Sequence, residues 1–251
     1  MSEATTVAII VKAAPVVGRT HGETVCVAGL DYDGNWHRLY PIPFRDLDSE
    51  QKFGRWDVVR FTWREPRDDN RPESKNVDSQ SLQLIGKVPQ RERHAFARSA
   101  IVPSLDQVKD AGKSFALIRP ERPKFIVKRH TKDELEEEGR KREALHAQSD
   151  LFSVPIAALE PAPYTFSYRF YFDGSERNYR CIDWETEATF FRWRAEYGEE
   201  DAIAKMQHRF GTEYPMKGVA FAMGTHRVPI FGTWLLSGIL RVDEVAQGQL
   251  L

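Results

Sequence analysis

A chain of 251 residues, 41% hydrophobic and 29% charged, can bury a sizeable core and suits one large domain or two small ones. Its two cysteines, Cys26 and Cys181, are too few for a disulfide framework or a four-cysteine zinc site. No run of about 18 apolar residues occurs and residues 1–14 lack a signal-peptide pattern, so a cytoplasmic protein with no membrane contact is expected.

The net charge of −1 conceals an uneven distribution. Residues 87–130 hold eleven Lys or Arg against four Asp or Glu, whereas residues 131–160 hold four against eight. Local fields matter more to a polyanion than the sum, so the basic stretch either faces an anionic partner or pairs with the acidic one.

In chain order, 7–11 and 24–30 read as strands separated by the loop formers Pro15, Gly18 and Gly22. Asp33-Gly34 marks a hairpin turn between 24–32 and 35–42. Pro41 and Pro43 stop ladder pairing, and 56–63 and 82–88 supply further strands on either side of a polar loop, 65–81. Five short strands with few helix signals point to a small β-barrel of the OB, SH3 or PUA kind over 1–90. Residues 91–98 predict a short helix, and 104–112 a second one behind Ser104.

Phe115–Ile118 reads as a strand, and 119–130 as a proline-broken basic arm or sheet edge. Thr131 followed by Glu134 forms a capping box that opens a polar helix over 131–148. Tyr164, Phe166, Tyr168, Phe170 and Phe172 alternate with smaller or polar residues, the signature of a strand with one buried face. A strand at 177–183, helices at 184–197 and 199–210, and strands at 219–223 and 234–242 complete an α+β region. The expected domains are thus a barrel at 1–90, a basic connector with a surface helix at 91–150, and an α+β domain at 151–251.

Residues 34–74 concentrate three of the six tryptophans and seven arginines. Rings interleaved with guanidinium groups suit a flat anion, and nucleic acid is the commonest such ligand. Strand alternation puts Trp36, Arg38 and Tyr40 on one face, with Arg45 beside the following turn and Arg60 on the next strand. In the charge-balanced loop, Arg71 is expected either to close the loop through ion pairs or to be held by Glu73 and presented to a phosphate.

The one acidic constellation is Asp183-Trp184-Glu185. If the strand ran on through Glu185, both carboxylates would point the same way and could hold Mg²⁺, with His226 as a general base. Alternatively Asp183 caps the following helix and Glu185 complements its dipole. No lysine follows at the short spacing of a restriction-type nuclease core. Motifs for common ATPase, dinucleotide, serine-hydrolase and zinc-protease chemistries are absent.

The runs HGETVCVAGL, RLYPIPFR, DNRPES and CIDWE resemble those of a family of uncharacterised bacterial and archaeal proteins without an established activity. The resemblance covers most of the chain. It implies that cysteines and a histidine precede the D-W-E in relatives, whereas only Cys181 stands there in this chain, so a metal site built from those residues would be lost here.

The sequence therefore predicts an α+β protein that binds DNA or RNA through Trp36, Arg38, Tyr40, Arg45, Arg60 and Arg71, helped by the basic connector and without a cofactor or metal. The alternatives are a Mg²⁺-dependent enzyme on nucleic acid or nucleotides using Asp183, Glu185 and His226, and a protein-interaction scaffold using the 131–148 helix.

Overall fold

The computed structural model describes residues 3–13, 16–18, 22–149, 160–226 and 232–242. Strands β1 (Glu3–Lys12), β4 (Val27–Leu30), β5 (Trp36–Tyr40), β6 (Asp57–Arg64) and β7 (Ser74–Val77) pair in the order β1-β4-β5-β7-β6, and β1 returns to β6 to close a five-stranded barrel. The hairpin β2 (Val16–Gly18) and β3 (Gly22–Thr24) stands apart from it, and β8 (Gln83–Lys87) adds to β6 outside the circuit. The expected strand at 24–30 is in fact interrupted at Val25 and Cys26. β7 lies inside the supposed polar loop and pairs in parallel with β5.

The barrel interior follows from period-two alternation. Val7, Ile9, Val27, Leu39, Val59, Phe61 and Trp63 point inward. Their neighbours Ala8, Ile10, Ala28, Leu30 and Val58 point outward, yet they too are buried. That double burial explains why β1 reads as an unbroken apolar run, VAIIV, because a strand covered on both faces has no side left for polar residues. Gly29 permits the tight β1–β4 approach: a Cβ there would lie 2.6 Å from Val7 Cγ2 and 2.7 Å from the Ala8 carbonyl oxygen.

The cover comes from the C-terminal half. After α1 (Arg93–Arg98) and α2 (Leu105–Asp110), strand β9 (Phe115–Ile118) joins the three-stranded sheet β14-β13-β9, completed by β13 (Val219–Thr225) and β14 (Trp234–Arg241). Phe115, Leu117, Ala220, Ala222 and Leu240 of this sheet pack on the barrel's outer face. Its opposite face, through Ile118, Phe221, Met223 and Ile239, packs on a second sheet and the helices.

That second sheet is β10 (Glu121–Arg129), β11 (Tyr164–Phe172) and β12 (Ser175–Arg180) in order, so the basic arm is an edge strand. The aromatic row of β11 supplies its core, with Tyr168 and Phe170 fully buried and their rings against Phe221. Helix α3 (Lys132–Ser149) starts with the expected reciprocal cap: Glu134 N–H donates to Thr131 Oγ1, and Thr131 N–H donates to Glu134 Oε2. Helices α4 (Trp184–Tyr197) and α5 (Glu199–His208) meet at Gly198, whose φ of 86° suits glycine. A π-helical turn at Arg209–Glu213 and α6 (Tyr214–Lys217) lead into β13. Among the described residues no helix is long and apolar enough to cross a membrane.

Candidate nucleic-acid interface

Strand register decides which of the sequence-predicted residues meet. Ala28 pairs with Arg38, and Arg38 with Ser74. One step on, Tyr40 pairs with Asn76, and Asn76 with Arg64. Partners in a ladder share a face, so Arg38, Tyr40, Asn76 and Arg64 form a patch on the outside of the barrel. Tyr40 is 40% exposed, and Arg64 is exposed with no ion pair among the described residues. Cys26, two residues before Ala28, falls beside this patch.

Arg38 is one of the residues that join the two halves. Its Nη2 donates to the Ser114 carbonyl at 2.6 Å, its Nε donates to Ser114 Oγ at 3.2 Å, and its guanidinium carbon lies 4.5 Å from the Phe115 ring centre. Glu73 completes the cluster from below. Its two carboxylate oxygens accept from the Ser114 N–H and from Ser114 Oγ, each at 2.7 Å, and Glu73 and Ser114 are both buried. Burial, and after it the neighbouring Arg71, pulls the Arg38 pKa down to about 9. The guanidinium is therefore still cationic at neutral pH but poorly compensated. Arg71 donates from Nη1 to the Thr225 carbonyl at 2.8 Å.

Several expectations change on this geometry. Trp36 was expected as a stacking ring; it is only 9% exposed and packs on Phe115 with ring centres 4.3 Å apart, because the C-terminal sheet covers that face. Trp56 and Trp63 are buried as well. Of the two alternatives for Arg71 the loop-closing one holds: Asp69 accepts from both its Nε and its Nη2, and Glu73 does not hold it. Arg60 stands opposite Thr6 and Gln83, away from the Arg38 patch. Arg45 sits half-buried at the turn beyond β5. Sequence reasoning did not single out Arg64, because its partner strand β7 carries no strand signal of its own.

For the acidic constellation the capping alternative holds. The strand stops at Arg180, and Asp183 caps α4, accepting the Glu185 N–H at 3.2 Å. Arg55 Nη2 donates to both Asp183 oxygens, at 2.8 and 2.7 Å, and the Ile239 N–H donates to Oδ2 at 3.1 Å. Burial raises the Asp183 pKa above the ordinary carboxylate value, and Arg55 works against that rise. Burial acts to lower the pKa of Arg55, yet Asp183 and Glu185 overcome it and leave the guanidinium above its ordinary value. The residue after Arg55, Trp56, adopts a left-handed φ of 71°, fixed by its N–H to the Ile9 carbonyl and by the Val88 N–H to its own carbonyl. Glu185 pairs with Lys12 at 3.0 Å, so a lysine does reach this corner, but from β1 and already engaged. His226 is remote: Asp183 bonds at Ile239, which pairs with Phe221, and His226 lies five residues further, roughly 16 Å at the usual strand rise. His226 instead follows Thr225 at the Arg38 and Arg71 end. Among the described residues no group of His, Cys, Asp and Glu is placed to hold a metal ion. The Arg227 position and the rest of the loop up to residue 231 fall outside the described residues.

The thiols report on these two corners. Cys26 is solvent-accessible but crowded, and burial raises its pKa although Arg38 and Arg71 oppose the rise. Burial, followed by the Asp183 charge, pushes Cys181 up to about 12. Because the thiolate is the nucleophile, a raised pKa means less reactive thiol at a given pH. Native protein titrated with iodoacetamide should label Cys26 only above the ordinary thiol range of about 8.5 and leave Cys181 untouched. Peptide mapping by mass spectrometry checks this, and equal labelling of both thiols at pH 8 would contradict it.

Residues 3–103 match the family model of a domain of unknown function, DUF8758, and residues 98–249 match that of a second domain of unknown function, DUF8757. The change from one to the other falls between the barrel and β9, where the covering sheet begins. No curated protein matches the chain. The second model spans well over half of the sequence, and the protein belongs to the DUF8757 family.

Proposed function

We propose that this is a cytoplasmic nucleic-acid-binding protein whose contact surface is the outer face of a PUA-like barrel, next to the seam with the C-terminal half. The observation that carries this reading is the register that gathers Arg38, Tyr40 and Arg64 on one patch, with Arg71 beside it. Tyr40 offers a ring for an unpaired base, and Arg64 offers a salt-sensitive phosphate contact. An anion near Arg38 would add charge compensation to a strongly desolvated guanidinium.

Fluorescence anisotropy with labelled single- and double-stranded DNA and RNA, from about 50 to about 200 mM salt, should show log affinity falling linearly with log salt. Arg64→Ala should reduce the magnitude of that slope by about one. Tyr40→Ala should cost ~1–3 kcal/mol of binding if its ring stacks on a base. Arg60→Ala should leave both quantities as they were. Absence of binding to all four probes at low salt removes the reading.

A further inference from the structure

A second group of side chains outside the barrel patch lies on the α4–α5 hairpin. A groove of about 600 Å³ is lined by Trp193 and Tyr197 of α4, by Lys205 and His208 of α5, and by Arg209 and Glu213 of the π-helical turn. The π turn places Arg209 over the Trp193 ring, 4.5 Å from its centre, and Lys205 lies 4.2 Å from the centre of Tyr197. π turns are uncommon and recur at functional sites.

The charges in this groove are unbalanced. Neither Lys205 nor Arg209 has an ion pair among the described residues; each is held only against its ring. The one lining carboxylate, Glu213, is already taken by Lys217 at 3.1 Å and Arg241 at 2.9 Å, and those contacts hold its pKa below the usual value, the Lys217 hydrogen bond foremost. Tyr197 is 43% exposed. Two cations without ion pairs and a partly exposed ring in one concave site are complementary to a ligand that joins a planar apolar part to an anion.

We propose that this groove holds one nucleotide of a single-stranded nucleic acid, with the phosphate at Lys205 and Arg209 and the base against Tyr197. The proposal rests on the nucleic-acid reading above and adds that the strand is unpaired at this point. A duplex keeps its bases stacked on one another, so a ring in a groove gains a base face only from a single strand.

The test is the affinity of a labelled single-stranded ten-mer for the wild-type chain, for Lys205→Ala/Arg209→Ala, for Lys205→Glu and for Arg64→Ala, with folding checked by circular dichroism. Lys205 is an exposed helical position, so its charge reversal leaves packing intact and keeps the test valid if the double variant is unstable. Both groove variants should bind about tenfold or more weakly, with a smaller loss for a duplex of the same length. Unchanged affinity in both groove variants, while Arg64→Ala weakens binding, overturns this site and leaves the barrel reading standing. Loss in the groove variants with none in Arg64→Ala supports this site and overturns the barrel surface. If 5′-AMP displaces the ten-mer with an affinity equal to that of the ten-mer itself, the occupant is a free nucleotide and the single-strand proposal falls.

Discussion

Asp183→Ala is expected to lower the stability of the folded chain by ~3–5 kcal/mol, the usual result of removing one partner from a buried ion pair. The substitution leaves the Arg55 guanidinium inside the protein without its counter-charge, frees the Ile239 N–H and removes the cap of α4. At ~2–4 °C per kcal/mol for a chain of this size, the melting temperature should fall by roughly 6–20 °C. Replacing both partners, as Arg55→Leu/Asp183→Leu, should cost less than Asp183→Ala alone, since no lone charge then stays buried. Thermal and urea unfolding of the three variants measures this. A stability of Asp183→Ala equal to wild type would mean that the carboxylate is held for something other than structure, and would bring the enzymatic reading of this corner back.

Glu73→Ala should come second, at about 3 kcal/mol, because two hydrogen bonds to a charged group are lost at once. The Ser114 N–H, fully buried, is left without an acceptor, and Arg38 loses a compensating charge. The further drop in compensation should make the Arg38 corner more receptive to anions even as the fold weakens. Stability and phosphate affinity measured on the same variant are therefore expected to move in opposite directions. If both fell together, Glu73 would be organising the patch and not merely neutralising it.

Much of the architecture is readable from local chemistry. The aromatic alternation at Tyr164–Phe172, the cap formed by Thr131 and Glu134, and the turn at Gly198 are each set by neighbours within a few residues, and the structure has them where periodicity places them. What escaped is non-local. Ser74–Val77 carries no strand signal of its own, since its pairing with β5 is parallel and its residues sit in a charge-balanced run. Alternation showed that Trp36 and Arg38 share a face, but could not say that β9 would cover it. Arg55, a single charge in a loop, becomes the partner of Asp183 only when residues 128 positions apart are brought together.

The seam between the two halves has a consequence for how the molecule can be taken apart. A piece ending near residue 100 would carry a finished barrel interior but would present Ala8, Ile10, Leu30 and Val58 to water, while its counterpart would bare Ala220, Ala222 and Leu240. Severed from each other, both fragments would be sticky and would seek new surfaces to cover. The two halves are accordingly obligate companions, and heat or denaturant should melt them in a single step.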